Sequence, residues 1–188
     1  MATIFDVAQS IVQLRPGLTK IELYKLCYFA QGWHSTWVGQ PLFTQPMEAW
    51  KYGPVSPELR QHSRSTGNRI DSIDTGSSDN LGDYERELIA NVIEFYEGVA
   101  AFGADGLSDQ SHGPAWQNAR GDLPPEAACS VVIQQTDIRK EFTQRMWGED
   151  PKPDAPATLP PFSADELSRV RRQAEITHRE VLRGLALI

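Results

Sequence analysis

Leu23, Leu26, Ala30, Trp33 and Trp37 recur at 3-4-3-4 spacing, and Cys27, Tyr28 and Phe29 widen that stripe around much of the same cylinder. A helix that is apolar over most of its circumference is stable only in the middle of a fold. Residues 20 to 37 are therefore expected to form a buried helical pillar. Its start is marked by a capping box, in which Thr19 accepts from the backbone amide of Glu22 and the Glu22 side chain reaches back. Gly39-Gln40-Pro41 ends it.

The remaining periodicity supplies elements to pack around this pillar. A first helix is expected after Thr3, with Val7, Ile11 and Leu14 on one stripe, stopping at Arg15-Pro16-Gly17. Residues 46 to 52 read as a short strand, and Gly53-Pro54-Val55-Ser56-Pro57 as a rigid turn. Ser56 is the N-cap and Pro57 the first position of a helix running to about Arg64. Ile70 to Asp83, rich in Ser, Asp, Gly and Thr, is expected to be a mobile surface loop. Asp83 then caps an acidic helix with Leu88, Val92, Phe95, Tyr96, Val99 and Phe102 inward, and Gly103 and Gly106 close it. Val131-Val132-Ile133 is a second strand candidate, placed to pair with residues 47 to 51. Thr136 is expected to cap a helix with Ile138, Phe142 and Met146 inward.

The last segment differs in kind. Glu149 to Phe162 contains five prolines and reads as a stiff linker. A capping box at Ser163–Glu166 follows, and Leu167, Val170, Ala174, Thr177, Val181 and Leu185 form an amphipathic stripe. The expected organisation is a domain over 1–148, a linker over 149–162 and a C-terminal helix over 163–188. That helix would fold back, self-associate or dock on a partner. The fold class is mainly α, with a minimal β element of two or three strands.

Three ordered motifs carry a resemblance: Leu23–His34, Glu48–Glu58, and Leu107-Ser108-Asp109-Gln110-Ser111-His112-Gly113-Pro114-Ala115-Trp116. Together they resemble the Panacea-domain family of bacterial and phage antitoxins, which includes the SocA-type antitoxin that also works as a proteolytic adaptor, and phage-associated GepA-like members. The similarity spans about residues 3 to 147. One departure is the residue between Pro114 and Trp116, which family members more often join directly. The resemblance implies a domain that binds a cognate toxin protein without catalysis and without a cofactor. It also implies that a protease or chaperone is a further partner in adaptor-type members.

Bulk properties restrict the alternatives. With 40% hydrophobic and 23% charged residues the composition is ordinary for a globular protein. No window of ~18 apolar residues appears, so no membrane span is expected. The N-terminus lacks the basic segment and apolar run of a signal peptide. Cys27 and Cys129 make no disulfide framework and no zinc pattern, which fits reduced thiols in the cytoplasm. The net charge of −7 is uneven: residues 1 to 64 carry +2 and residues 65 to 150 carry −10. The acidic middle argues against nucleic acid and suits a basic protein surface.

Catalytic constellations are weak. Cys27 and His34 share a helix face but stand about 10 Å apart at the helical rise, whereas a thiol–imidazole pair needs about 3 Å. Glu58 and His62 make a surface pair. Asp109–His112 and Glu175–His178 imitate half of a di-iron motif that needs two Glu-x-x-His copies and two further Glu. The competing reading is a metal-dependent enzyme of a mobile element using His34, His62 and His112. Another is a DNA-binding autoregulator using Arg169, Arg171 and Arg172.

The residues expected to form a binding surface or to hold it in shape are Tyr24, Lys25, Tyr28, Trp33, His34, Trp50, Tyr52, Gly53, Pro54, Val55, Ser56, His112 and Trp116. For Tyr28 and Trp33 core packing is the favoured reading. Lys25 is expected to snorkel to the surface or pair with a carboxylate, or to form a cation–π contact with Trp50 or Tyr52.

Overall fold

Leu23 to Ser35 are buried without interruption, so in the computed structural model helix α2 (Lys20–Val38) is the axis on which the other elements assemble. The described residues are 2–98, 103–124, 126–157, 168 and 172. The expected capping box forms at Thr19 and Glu22, and Gly39 ends the helix in the left-handed conformation at φ +78°. Helix α1 (Ile4–Leu14) starts with a box of its own, Thr3 with Asp6, and packs on α2. Leu14, expected inward, is the last residue of the helix and is exposed.

Helices α4 (Asp83–Gly98), α5 (Ala104–Ser111) and α7 (Gln135–Trp147) also lie against α2. Aromatic rings fill the space between them. Phe29 stacks on Tyr96 at 3.9 Å, and Phe142 meets Trp33 edge-on at 5.4 Å. Gly32 makes this approach possible, since a Cβ there would collide with the Phe142 ring. Gln31 is fully buried yet satisfied. Its oxygen accepts from the amides of Leu42 and Phe43, and its nitrogen donates to the Phe43 carbonyl and to Gln135.

Strands β1 (Glu48–Trp50) and β2 (Gly53–Val55) form an antiparallel hairpin. The Gly53–Val55 segment expected as a turn is thus a strand, and Lys51 and Tyr52 make the turn instead. The expected pairing of 131–133 with 47–51 is present on the other edge: Ala49 N–H donates to Val131 O at 2.9 Å, and Ile133 N–H to Met47 O at 2.8 Å. Ser56 caps α3 (Pro57–His62) as expected.

A second hairpin, β3 (Ser63–Thr66) with β4 (Arg69–Ile73), replaces the start of the expected loop. Ile70 and Ile73 are buried, and the rest is pinned by Asp6, whose carboxylate accepts from Ser77 N–H at 3.0 Å and Asn80 Nδ2 at 2.8 Å. Two further expectations shift. The α7 N-cap is Gln134 instead of Thr136, and Phe95 is only half-buried while Tyr84, Ile89 and Ile93 join the inner face of α4. Val99 and Phe102 lie outside the described residues.

The contacts divide the chain into Met1–Thr158 and Leu159–Ile188. In the first unit, the described part of the expected linker runs to Ala157 without helix or strand. Asp154 O accepts from Asn91 and Ala157 N–H donates to Glu87, so this stretch is tied to α4. The expected C-terminal helix over 163–188 lies outside the described residues except at 168 and 172. Among the described residues, no helix is long and apolar enough to cross a membrane.

Candidate functional site

The three sequence motifs meet at Lys25. One turn into α2, its side chain is 1% exposed, and Nζ donates to the Pro54 carbonyl at 3.1 Å. The expectations of snorkelling, a carboxylate partner or a cation–π contact are therefore replaced by burial against the β2 backbone. The cation over Trp50 is Arg60, at 5.1 Å, and the one over Tyr52 is Lys51, at 4.9 Å. Burial brings the Lys25 ammonium down to about 7. Gly53 is required twice over. Its φ is +93°, and a Cβ there would stand 2.6 Å from Lys25 Nζ and collide with Ser111 Oγ.

The third motif holds the hairpin from behind. Ser108 Oγ donates to Tyr52 O at 3.0 Å, and Trp116 Nε1 to Trp50 O at 2.8 Å. Helix α6 (Pro114–Arg120) adds Arg120, which donates to Ala49 O at 3.1 Å and to the Pro124 and Ala127 carbonyls. The backbone of β1, the turn and β2 is thus fixed by side chains as well as by its strand pairing. His112 stacks on Trp116 at 4.1 Å. Burial, and then the charge of Lys25, pushes its imidazole below the ordinary value.

On the open side of the hairpin lies a groove of about 620 Å³. Ile21, Tyr24, Trp50, Tyr52, Val55 and Cys129 give it an apolar surface, and Lys20, Lys25, Lys51 and Arg60 also line it. No acidic residue is among its described lining residues. Lys51 pairs with Glu126, whose side chain is 81% exposed. Tyr52, at 60% exposure, stands at the edge. Surface pairs of this kind are weak and easily exchanged.

Of the expected residues, Tyr24, Lys25, Trp50, Tyr52 and Val55 line the groove. Gly53, Pro54, Ser56, His112 and Trp116 shape it without lining it. Tyr28, Trp33 and His34 belong to the core. Tyr28 donates to Glu141 at 3.2 Å, Trp33 donates to the Tyr96 hydroxyl at 3.2 Å, and His34 Nδ1 meets Gln40 O at 2.8 Å. Sequence reasoning missed Lys20, Ile21, Lys51, Arg60 and Cys129. Lys20 and Ile21 precede Tyr24 and Lys25 by one helical turn, a signal available from the spacing. Cys129 reaches the groove only through tertiary structure.

It missed Glu141 as well. This buried carboxylate accepts from Tyr28 OH and from Ala115 N–H at 2.9 Å, and is ion-paired with Arg145 at 2.7 Å. Burial raises its pKa above the ordinary value despite these partners.

The three histidines of the enzyme alternative are not brought together. His34 faces Gln40, His62 packs edge-on against Phe5 at 5.1 Å, and His112 lies on Trp116. Among the described residues, no three His, Cys, Asp or Glu side chains gather where they would hold a metal. Cys27 is fully buried, which pushes its thiol far above the reactive range.

Searches of curated proteins and of solved structures each found no match. A family profile does match, over residues 23–117, and its description is antitoxin SocA-like, Panacea domain. That span begins at the first buried residue of α2, contains the hairpin, and ends one residue after Trp116, so it encloses all three motifs that meet at Lys25. By sequence, the chain belongs to the SocA-like antitoxin, Panacea-domain family.

Proposed function

We propose that this protein is a non-catalytic antitoxin that neutralises a cognate protein toxin by holding it in a direct protein–protein complex. One observation carries the reading: the span that matches the antitoxin family holds the β1–β2 hairpin and seven of the twelve described residues that line the cationic, aromatic groove. The chemistry supports binding. Rigid aromatic side chains on a braced hairpin lose little entropy on docking, and Tyr, Trp and Arg are the residues that anchor interfaces. A stable complex of this type buries ~1,200–2,000 Å² in total. The groove would be its centre and not its whole extent. Two unpaired cysteines, with Cys27 deeply buried, fit a reducing cytoplasm.

The test is co-expression with the product of the adjacent open reading frame. Growth arrest caused by that product alone should be relieved, and the two proteins should co-purify with fixed stoichiometry. Persistent arrest together with the absence of a complex would overturn the reading. If relief depends on a cellular protease while the complex still forms, the protein acts as a proteolytic adaptor within the same role.

A further inference from the structure

The groove beside the β1–β2 hairpin combines two properties that rarely coexist by accident. Its walls are aromatic and aliphatic, and every charged side chain lining it among the described residues is a cation. The protein as a whole carries −7, so the groove's sign is opposite to that of the molecule. Lys25 lies beneath it, 1% exposed and donating to Pro54 O, so the cations a partner can reach are Lys20, Lys51 and Arg60. Arg60 is held over Trp50, and Lys51 over Tyr52, which keeps both cations at the apolar surface. Lys51 already accepts a carboxylate there, that of the exposed Glu126.

We propose that this groove takes an acidic, apolar segment of the toxin: a stretch whose aromatic or aliphatic side chains fill the space between Tyr24, Trp50 and Val55 while a neighbouring carboxylate displaces Glu126 from Lys51 and reaches Arg60. The assignment rests on the antitoxin reading above and names the surface and the chemistry of its partner. A basic segment is excluded by like-charge repulsion in a place where water is displaced. A nucleic-acid strand would bring its phosphates against the −7 of the rest of the chain.

Cys129 supplies a native reporter, because it lines the groove while Cys27, the other cysteine, is fully buried. The purified full-length protein is labelled with a maleimide alone and in complex with the adjacent gene's product. Labelling of Cys129 should slow by about tenfold or more in the complex. The double variant Lys51→Glu/Arg60→Glu should weaken the complex by about tenfold or more, while Glu94→Lys on α4 leaves it within about twofold. Replacing Asp or Glu by Lys in the protected toxin segment should weaken binding to the unaltered antitoxin and restore binding to the double variant. Thermal unfolding of the double variant controls for misfolding, and the Cys129 labelling needs no variant at all.

A tight complex with unchanged Cys129 labelling and an unaffected double variant would overturn the groove assignment and leave the antitoxin reading standing. Absence of any complex with relief of toxicity also absent would sink both. Protection of Cys129 that grows with the concentration of the antitoxin alone would assign the groove to a second copy of this chain and overturn the toxin-segment proposal.

Discussion

Lys25 is the residue where burial and charge conflict most openly. Its ammonium is nearly inaccessible, with a backbone carbonyl as its hydrogen-bond partner, and burial lowers its pKa to about 7. The folded pKa therefore lies below the unfolded value of about 10.4. Between these values the unfolded chain holds a proton that the folded chain has released, so stability rises with pH through that window. Above about pH 8.5 the buried Cys27 thiol acts in reverse, since its folded pKa is raised. From pH 7 to 8.5 the Lys25 contribution should add about 1–2 kcal/mol. Urea unfolding of the wild type and of Lys25→Met across this range tests it. The Met variant should lack that rise, and parallel pH profiles for the two proteins would refute the assignment.

At the scale of elements, helices here are joined by single buried polar groups. Glu141 ties α7 to α2 through Tyr28 and to the start of α6 through Ala115 N–H, and Arg145 neutralises it. A Cβ at residue 113 would collide with its carboxylate, so Gly113 is what lets the chain pass. Glu141→Ala leaves the Tyr28 hydroxyl, the Ala115 amide and the Arg145 guanidinium without their shared acceptor. It should cost about 1–3 kcal/mol, the range for leaving buried donors unsatisfied; Arg145 is partly exposed and keeps Gln110 O as an acceptor. Equilibrium urea denaturation measures this, and a loss under 1 kcal/mol would show that water replaces the carboxylate. Asp6 does the same for α1 and the 77–80 turn: burial would raise its pKa, but hydrogen bonds from Ser77, Thr3 and Asn80 hold it below the ordinary carboxylate range. Both hubs escaped sequence reasoning, because an acidic residue at one position on an amphipathic helix reads as solvent-exposed until its neighbours are known.

For the whole molecule, charge and chain organisation decide the outcome. The acidic helix α4 spends part of its charge on its own chain, with Glu97 paired to Arg15 and Glu87 accepting from Ala157 N–H. It offers less free negative surface than its composition suggests. The groove carries the opposite sign, so association with an acidic partner should be steered, its rate falling as salt rises. The contacts separate residues up to Thr158 from Leu159–Ile188. A chain ending at Ala157 should therefore unfold cooperatively, with a melting temperature within about 5 °C of the full-length protein. Differential scanning calorimetry checks this, and a broad, non-cooperative transition would make residues 158–188 part of the folding unit.

The pillar, the caps at Thr19 and Ser56, the pairing of 47–49 with 131–133 and the family motifs were legible because each follows from short-range rules. Periodicity marks a buried face, a hydroxyl at the right offset satisfies a free amide, and Gly or Pro selects a backbone conformation. The burial of Lys25, the hubs at Asp6 and Glu141, and the groove that gathers Lys20, Arg60 and Cys129 from distant parts of the chain were decided only by tertiary structure. The physical reason is that a polar side chain takes its meaning from its solvent and its partners. Both are set by residues brought beside it in folding and not by those beside it in the chain.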